Sequence, residues 1–346
     1  MGAWLLATVL VLATAAASSV AAQQPIILKV AHFLPATSTT HAKLLLPWCE
    51  KIERESKQRL KCQLYPSMQL GGTPPQLYDQ ARDGVADIVW TLPGYTAGRF
   101  PIMEVFELPF MMTGSAQATS RAAWEFNSRH AVDEFSAVKP LAIHVHDPGQ
   151  LHLRDKPVRT LADFKGMKLR APTRQTNRML AAFGATPVSM PVPAVPDALS
   201  KGVIDGAVVP WEVVPAIKLH EVVRFHSETD PATPALYPAV FLLAMNKATY
   251  DKLPADLQRV IDANSGAELS AHAGALWDAA APVGRKQALD RGNAINVVPA
   301  TELSSWERAA RPLYADWIAD MNKRGLDGNA LLGDARAAIA KHSAKK

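Results

Sequence analysis

The sequence predicts an α/β protein of two lobes joined by a hinge, with a cleft between them and one long helix running along both. Three observations carry this. Strand-like and helix-like patterns alternate in two separate blocks, one on each side of Asp147-Pro148-Gly149. That break and the later "SETDPATPALYP" (227–238) look like a pair of crossings between the blocks. An alanine-rich helical pattern, "PADLQRVIDANSGAELSAHAGALWDAAAPVGRKQALDRG", is longer than a compact domain usually holds. The 346 residues favour two domains with ample cores, and 48% hydrophobic with 20% charged residues is an ordinary globular balance.

Residues 1–22 read as a secretory signal. An apolar run from Ala3 to about Ala15 is followed by small residues, and Val20-Ala21-Ala22 suits a cleavage site before Gln23. A membrane anchor is the competing reading, but a spanning helix needs about 20 apolar residues. "ILKVAHFLPA" then reads as a buried strand stopped by Pro35, and "STTHAKLLLPWCEKIERES" as a helix capped by Ser38, Thr39 or Thr40. "RLKCQLYP" alternates as a strand, a helix begins near Pro74 or Pro75, and a third strand ends at Trp90. Such alternation implies a parallel sheet with right-handed crossovers. Its carboxyl edge carries His32, Phe33 and Trp90, and ligands of open α/β sheets bind beyond that edge.

The second block repeats the logic with "KGMKLRAP", "TNRMLAAFGA", "TPVSMP", "PDALSKGVIDGAVVP" and "RFHSE", and "AVFLLAMNKATYDKL" returns as a strand. The expected boundaries are 23–147 plus 236–275 for the first lobe and 148–235 plus 276–346 for the second. Crossings are expected near 147–150 and 230–237.

A net charge of +5 is spread among acidic residues, with no basic stripe and no recognisable module for nucleic acid. The two cysteines, Cys49 and Cys62, fall in a helix and the following strand. In an oxidising compartment they would pair as a disulfide; two buried free thiols are the alternative. In "HVHDPGQLH", His144 and His146 would share one face of an extended chain, and two such histidines with a carboxylate can hold zinc. An exported metal-dependent hydrolase using His144, His146 and His152 is therefore a rival reading. The chain has no HExxH, GxSxG, P-loop or strand-following GxGxxG, and no cofactor is implied.

Arg170 stands at a strand end, with Ala171-Pro172 behind it and a helix to follow. Its planar, permanently charged guanidinium fits a carboxylate fork, though a local acid such as Asp163 or Asp205 could pair with it instead.

These pieces, in order, resemble a known family. "KVAHFLPATSTTHAKLLLPW", "YPSMQLGG" with "GVADIVW", "FELPF", "DKPVRTLADFKGMKLRAP", "FGATPVSMP" and "ALSKGVIDG" span nearly all the chain after the signal. Together they resemble the extracytoplasmic substrate-binding proteins of tripartite ATP-independent periplasmic (TRAP) transporters. The resemblance implies a periplasmic-binding-protein fold, no catalysis, and a periplasmic monomer that delivers a small organic carboxylate to TRAP integral-membrane permease subunits. A sensor-side receptor of the same fold is the remaining alternative.

In that family the arginine of G-x-K-x-R-x-P clamps the ligand carboxylate, and Arg170 matches it. Other positions depart from the family pattern. Gln150 stands where many members have a second arginine, Val208-Val209 near the usual asparagine, and Val192 at an aromatic position. Polar partners are thus replaced by apolar groups around a retained arginine. Leaving ligand polar groups unpaired costs roughly 1–3 kcal/mol each, so sugar acids and second carboxylates should be disfavoured. The expected ligand is a monocarboxylate with an apolar or aromatic body. Trp90, Tyr95 and Trp211 are candidate stacking faces, His152 a candidate hydrogen-bond donor, and His32 a further cleft residue.

Overall fold

The structure, a computed structural model, describes residues 24–344; the expected signal segment lies outside the described residues. In the first sheet β1 (Ile26–His32) runs parallel to β2 (Leu60–Tyr65) and β3 (Ile88–Thr91). The helices α1 (Leu46–Glu55) and α2 (Leu77–Arg82) make the crossovers. Ser38 accepts a hydrogen bond from the His41 amide at the head of the first helical segment, and a Thr73–Gln76 capping box opens the turn before α2. The strand β10 (Val240–Asn246) inserts antiparallel between β3 and β4 (Val138–Val145), giving the order β2-β1-β3-β10-β4. Every residue of β10 is buried, as an interior strand requires. Cys49 of α1 and Cys62 of β2 form a disulfide with their Cα atoms 5.7 Å apart, stapling helix to edge strand.

The second sheet has the order β11-β9-β5-β8-β6-β7. It comprises β5 (Gly149–Leu153), β6 (Lys168–Ala171), β7 (Thr186–Ser189), β8 (Gly206–Pro210), β9 (Phe225–Thr229) and β11 (Ala294–Val298). The short helices α4 (Arg174–Ala182) and α5 (Val195–Ser200) connect its parallel strands. The chain passes between sheets at 146–148 and returns at 230–239.

The single long helix expected over 254–292 is two. After α6 (Lys247–Lys252), α7 (Ala255–Ala263) stops at Asn264-Ser265-Gly266 and α8 (Ala267–Asp290) begins anew. Gly266 takes φ +89°, open to glycine, and its amide donates to Leu141 O while Asn264 O receives the Trp48 indole. Tertiary partners thus take backbone groups that a continuous helix would have used. α8 still spans both lobes. Asp278 accepts from the Ala116 and Gln117 amides (2.9 and 3.0 Å) at the start of α3 (Ala116–Phe126), against the first sheet. Two turns on, Arg285 pairs with Glu228 of β9 at 2.8 Å. At each contact the helix approaches backbone closely: a Cβ on Gly274 would fall 2.4 Å from Ala116 O, and one on Gly284 2.0 Å from Trp211 O.

The C-terminal segment requires a correction. α9 (Ala300–Ala310) packs on the second lobe, Trp306 meeting Phe164 edge to face. However, α10 (Pro312–Lys323) sends the Trp317 indole to Pro101 O, and α11 (Gly328–Ser343) returns to α3 of the first lobe. There Lys341 and His342 both bond Glu125. Sequence neighbourhood had placed 276–346 wholly with the second lobe; no local signal announces that last crossing.

Candidate functional site

The carboxyl ends of β3, β6 and β8 and the returning crossing at 230–239 surround a cavity between the lobes. Its walls are largely apolar. From the first lobe come Phe33, Trp90 and Tyr95; from the second, Val192, Val209 and Val213; Phe241 and Trp277 close it from β10 and α8. Trp90 lies flat on Phe241, with ring centroids 4.6 Å apart at 8°, and its indole donates to His144 Nε2. Both rings are thereby fixed as a flat wall.

Arg170, 2% exposed, enters this wall from the end of β6. Its Nε donates to Met190 O at 2.9 Å and its Nη1 to Val208 O at 3.0 Å. Nη2 has no partner, and Nη1 keeps a second hydrogen, so one edge of the guanidinium stays free to face a carboxylate. The local acids do not neutralise it: Asp163 caps Thr160, and Asp205 receives the Lys168 amide. A buried cation without a protein anion needs one from outside. The Tyr237 hydroxyl, also buried and without a partner, lines the same cavity. Burial raises the Tyr237 phenol far above its usual range, so it is a neutral donor, and Arg170 pulls the other way.

His146 lines the cavity but is spoken for. Its Nε2 accepts from the Ala239 amide at 3.0 Å, and its Nδ1 faces Asp147 O. Burial, with Arg170 adding to it, lowers its pKa to about 4, so the ring is neutral. Across the cleft mouth the lobes are tied. The Val192 amide donates to Tyr95 Oη at 2.9 Å, Trp211 N donates to Asp147 Oδ2 at 3.0 Å, and Arg174 and Gln175 both bond Glu104.

Of the residues proposed from sequence, Arg170, Trp90, Tyr95, Val192 and Val209 come together around the cavity. Four do not. His152 sits three residues along β5 from Gly149, roughly 10 Å into the sheet at a strand's rise, where its Nδ1 meets His226 and its Nε2 faces Val209 O. Gln150 Oε1 accepts from the Thr229 amide beside a separate cavity at the hinge. Trp211 donates to Glu228 and packs against His152 and His226. His32 bonds His41 and receives the Leu34 amide. Nor does the histidine segment assemble a metal site: His144, His146 and His152 bond a tryptophan, a backbone amide and another histidine. Among the described residues no three histidine, cysteine or acidic side chains gather to hold an ion.

Sequence reading missed Tyr237, Phe241 and Trp277. "ALYPAVF" reads as hinge followed by core strand, and Trp277 as one more apolar position in a long helix. Only the second crossing, folded back over the cleft, makes Tyr237 part of the site.

A family model described as bacterial extracellular solute-binding protein, family 7 (DctP) matches residues 30–320. The chain is similar to a TRAP solute-binding protein from Rhodoferax ferrireducens T118, whose crystal structure holds copurified benzoate. Identity is 54%, the TM-score is 0.90, and the match covers 92% of this chain and 98% of that one. A marine metagenome TRAP protein specific for aromatic acid ligands, crystallised with 3-hydroxybenzoate, is 47% identical with TM-score 0.90, covering 93% and 100%. One from Bordetella bronchiseptica with bound mandelate is 28% identical with TM-score 0.84, covering 92% and 99%.

Proposed function

From the premise that this chain belongs to the DctP family of bacterial extracellular solute-binding proteins, which capture solutes and are not enzymes, we propose that it captures an aromatic monocarboxylate and delivers it to a TRAP membrane permease. One observation carries the reading. Arg170 Nη2 and Tyr237 Oη, two buried donors without protein partners, face a cavity whose remaining walls are mostly aromatic and aliphatic. A carboxylate satisfies both donors, and a ring fills the space beside the Trp90–Phe241 pair. Tyr237 supplies a second donor, where Gln150, bonded to the Thr229 amide, supplies none. The relatives with benzoate, 3-hydroxybenzoate and mandelate support the same ligand class.

Capture follows from the hinge. An open form admits the anion, Arg170 binds it, and closure brings Tyr95 to Val192 and Arg174 to Glu104 while excluding water, which strengthens the charged bonds. The proposed protein is a periplasmic monomer exported through residues 1–22. The test is a thermal-shift screen with benzoate, mandelate, malate and glucuronate, on wild type and Arg170→Ala. Stabilisation of the wild type alone by benzoate or mandelate is expected. Stabilisation only by malate or glucuronate would overturn the aromatic reading and keep the clamp.

A further inference from the structure

Among the described residues, three buried polar atoms of the side chains lining this cavity have no hydrogen-bond partner. Arg170 Nη2 and Tyr237 Oη are two; the third is Glu212 Oε1. Glu212 follows β8 in the turn Trp211–Val213 and is 4% exposed. Burial raises its pKa to about 7, opposed by the side chain and backbone of Thr39 in the other lobe. Arg170, at the end of β6, is held by Met190 O and Val208 O, whereas Glu212 also lines a neighbouring cavity with Thr37, Thr39 and Lys43. Glu212 therefore sits on the side of the cavity that borders Thr37 and Thr39 of the other lobe.

A buried carboxyl oxygen facing an apolar space goes unsatisfied unless the occupant bonds it. A second carboxylate would add a like charge. An aliphatic body would leave the oxygen orphaned. A phenolic hydroxyl can donate to the ionised acid and accept from the protonated one.

We propose that Glu212 is a specificity-determining residue, reading a ring hydroxyl remote from the carboxylate, so that hydroxylated aromatic monocarboxylates are preferred over unsubstituted ones. The proposal rests on the aromatic-carboxylate reading of the cleft. It goes further by assigning the side of the cavity formed by Glu212.

The experiment is calorimetric titration of the purified protein with benzoate and with 2-, 3- and 4-hydroxybenzoate, using wild type, Glu212→Gln and Glu212→Leu. At least one of the 3- and 4-isomers should bind about tenfold or more tighter than benzoate, the worth of one good hydrogen bond. The 2-isomer, whose hydroxyl lies beside the carboxylate, should gain nothing. Glu212→Leu should erase the gain while leaving benzoate within about threefold, which also shows that the variant is folded; Glu212→Gln should keep part of it. Equal binding of benzoate and all three isomers, or a gain that survives in Glu212→Leu, overturns the proposal. So does a uniform loss across all four ligands, which would assign Glu212 to lobe closure through Thr39. Failure of all four on the wild type removes the aromatic reading itself, an outcome distinct from the others.

Discussion

The ring of Tyr237 lies directly over Gly149: a Cβ at 149 would fall 2.1 Å from the ring, and the Gly149 amide donates to Tyr237 O at 3.0 Å. Gly149 opens β5 directly after the first inter-lobe crossing and Tyr237 lies in the second, so the two crossings grip each other at the proposed hydroxyl donor. His146 completes the seat, meeting the tyrosine edge to face at 5.1 Å.

Gly149→Ala should therefore displace the tyrosine. Overpacking of this kind costs about 1–3 kcal/mol, and the moved hydroxyl should weaken benzoate binding as well. Calorimetric unfolding and titration of the same variant check both. Unchanged stability together with unchanged affinity would mean that Tyr237 does not depend on this seat.

Arg170→Met should separate stability from function. The substitution removes a buried charge that no acid among the described residues pairs with, so the ligand-free variant should melt at or above the wild-type temperature. Charge-assisted hydrogen bonds contribute about 1.5–3 kcal/mol each, so losing a two-bond fork should weaken benzoate binding by about a hundredfold or more. Arg170→Lys keeps a point charge but not the fork and should fall between. A ligand-free melting temperature well below wild type would instead assign Arg170 a structural role.

The sequence made much of this legible, for identifiable reasons. Periodicity and caps located the strand–helix units, because the apolar face of each is read against one core. Arg170 reaches the cavity wall, as the family resemblance of G-x-K-x-R-x-P implies, whereas its place at a strand's carboxyl end alone leaves pairing with Asp163 or Asp205 open. His152 was misjudged because adjacency to a crossing is not adjacency to the cleft: antiparallel pairing with β8 and β9 carries it into the sheet. Tyr237 and the return of α11 to α3 depend on how distant segments fold back, which no local pattern records.

The disulfide should matter for stability alone. It joins α1 to β2 at the outer edge of the first sheet, and neither element lines the cavity. Closing a loop of this size contributes about 3 kcal/mol in the chain-entropy account. Cys49→Ala with Cys62→Ala should lower the denaturant midpoint and leave benzoate affinity unchanged. A matching drop in affinity would show that the edge strand communicates with the cleft.

Stability should decline from about pH 6.5 to 8. Burial raises the carboxyl of Glu107 to about 8 and those of Glu134 and Glu212 to about 7, in each case as the leading cause. Groups whose folded pKa is raised add stability below the unfolded value, and that stability is lost as pH climbs through the folded one. The buried histidines act oppositely: burial lowers His144 to about 3 and His146 to about 4, so their contribution is complete above about 6.5. Above that pH the raised acids alone set the slope. Melting curves at pH 6.5, 7 and 8 should show the fall, and Glu107→Gln, neutral throughout, should flatten it. A flat wild-type profile would remove Glu107 from this role.

The contact between Arg174 and Glu104 should govern how long a ligand stays. The pair is separated by 2.5 Å at its shortest, Gln175 adds a second donor to the same carboxylate, and Glu104 is nearly buried at 5%. The partners come from different lobes, so the bond exists only when the lobes are closed. Arg174→Ala leaves the Glu104 carboxylate buried with only the Gln175 side-chain amide and the Gly98 backbone amide in the closed form, but free to reach water in the open one. The closed state alone is penalised, and the equilibrium shifts toward opening. Benzoate dissociation measured by stopped flow should accelerate, with a smaller change in association. Removing the orphaned acid as well should recover part of the loss, so Arg174→Ala with Glu104→Ala should release ligand more slowly than Arg174→Ala alone. Strictly additive effects of the two substitutions would show that the pair is not the latch, leaving closure to the Tyr95–Val192 and Asp147–Trp211 bonds.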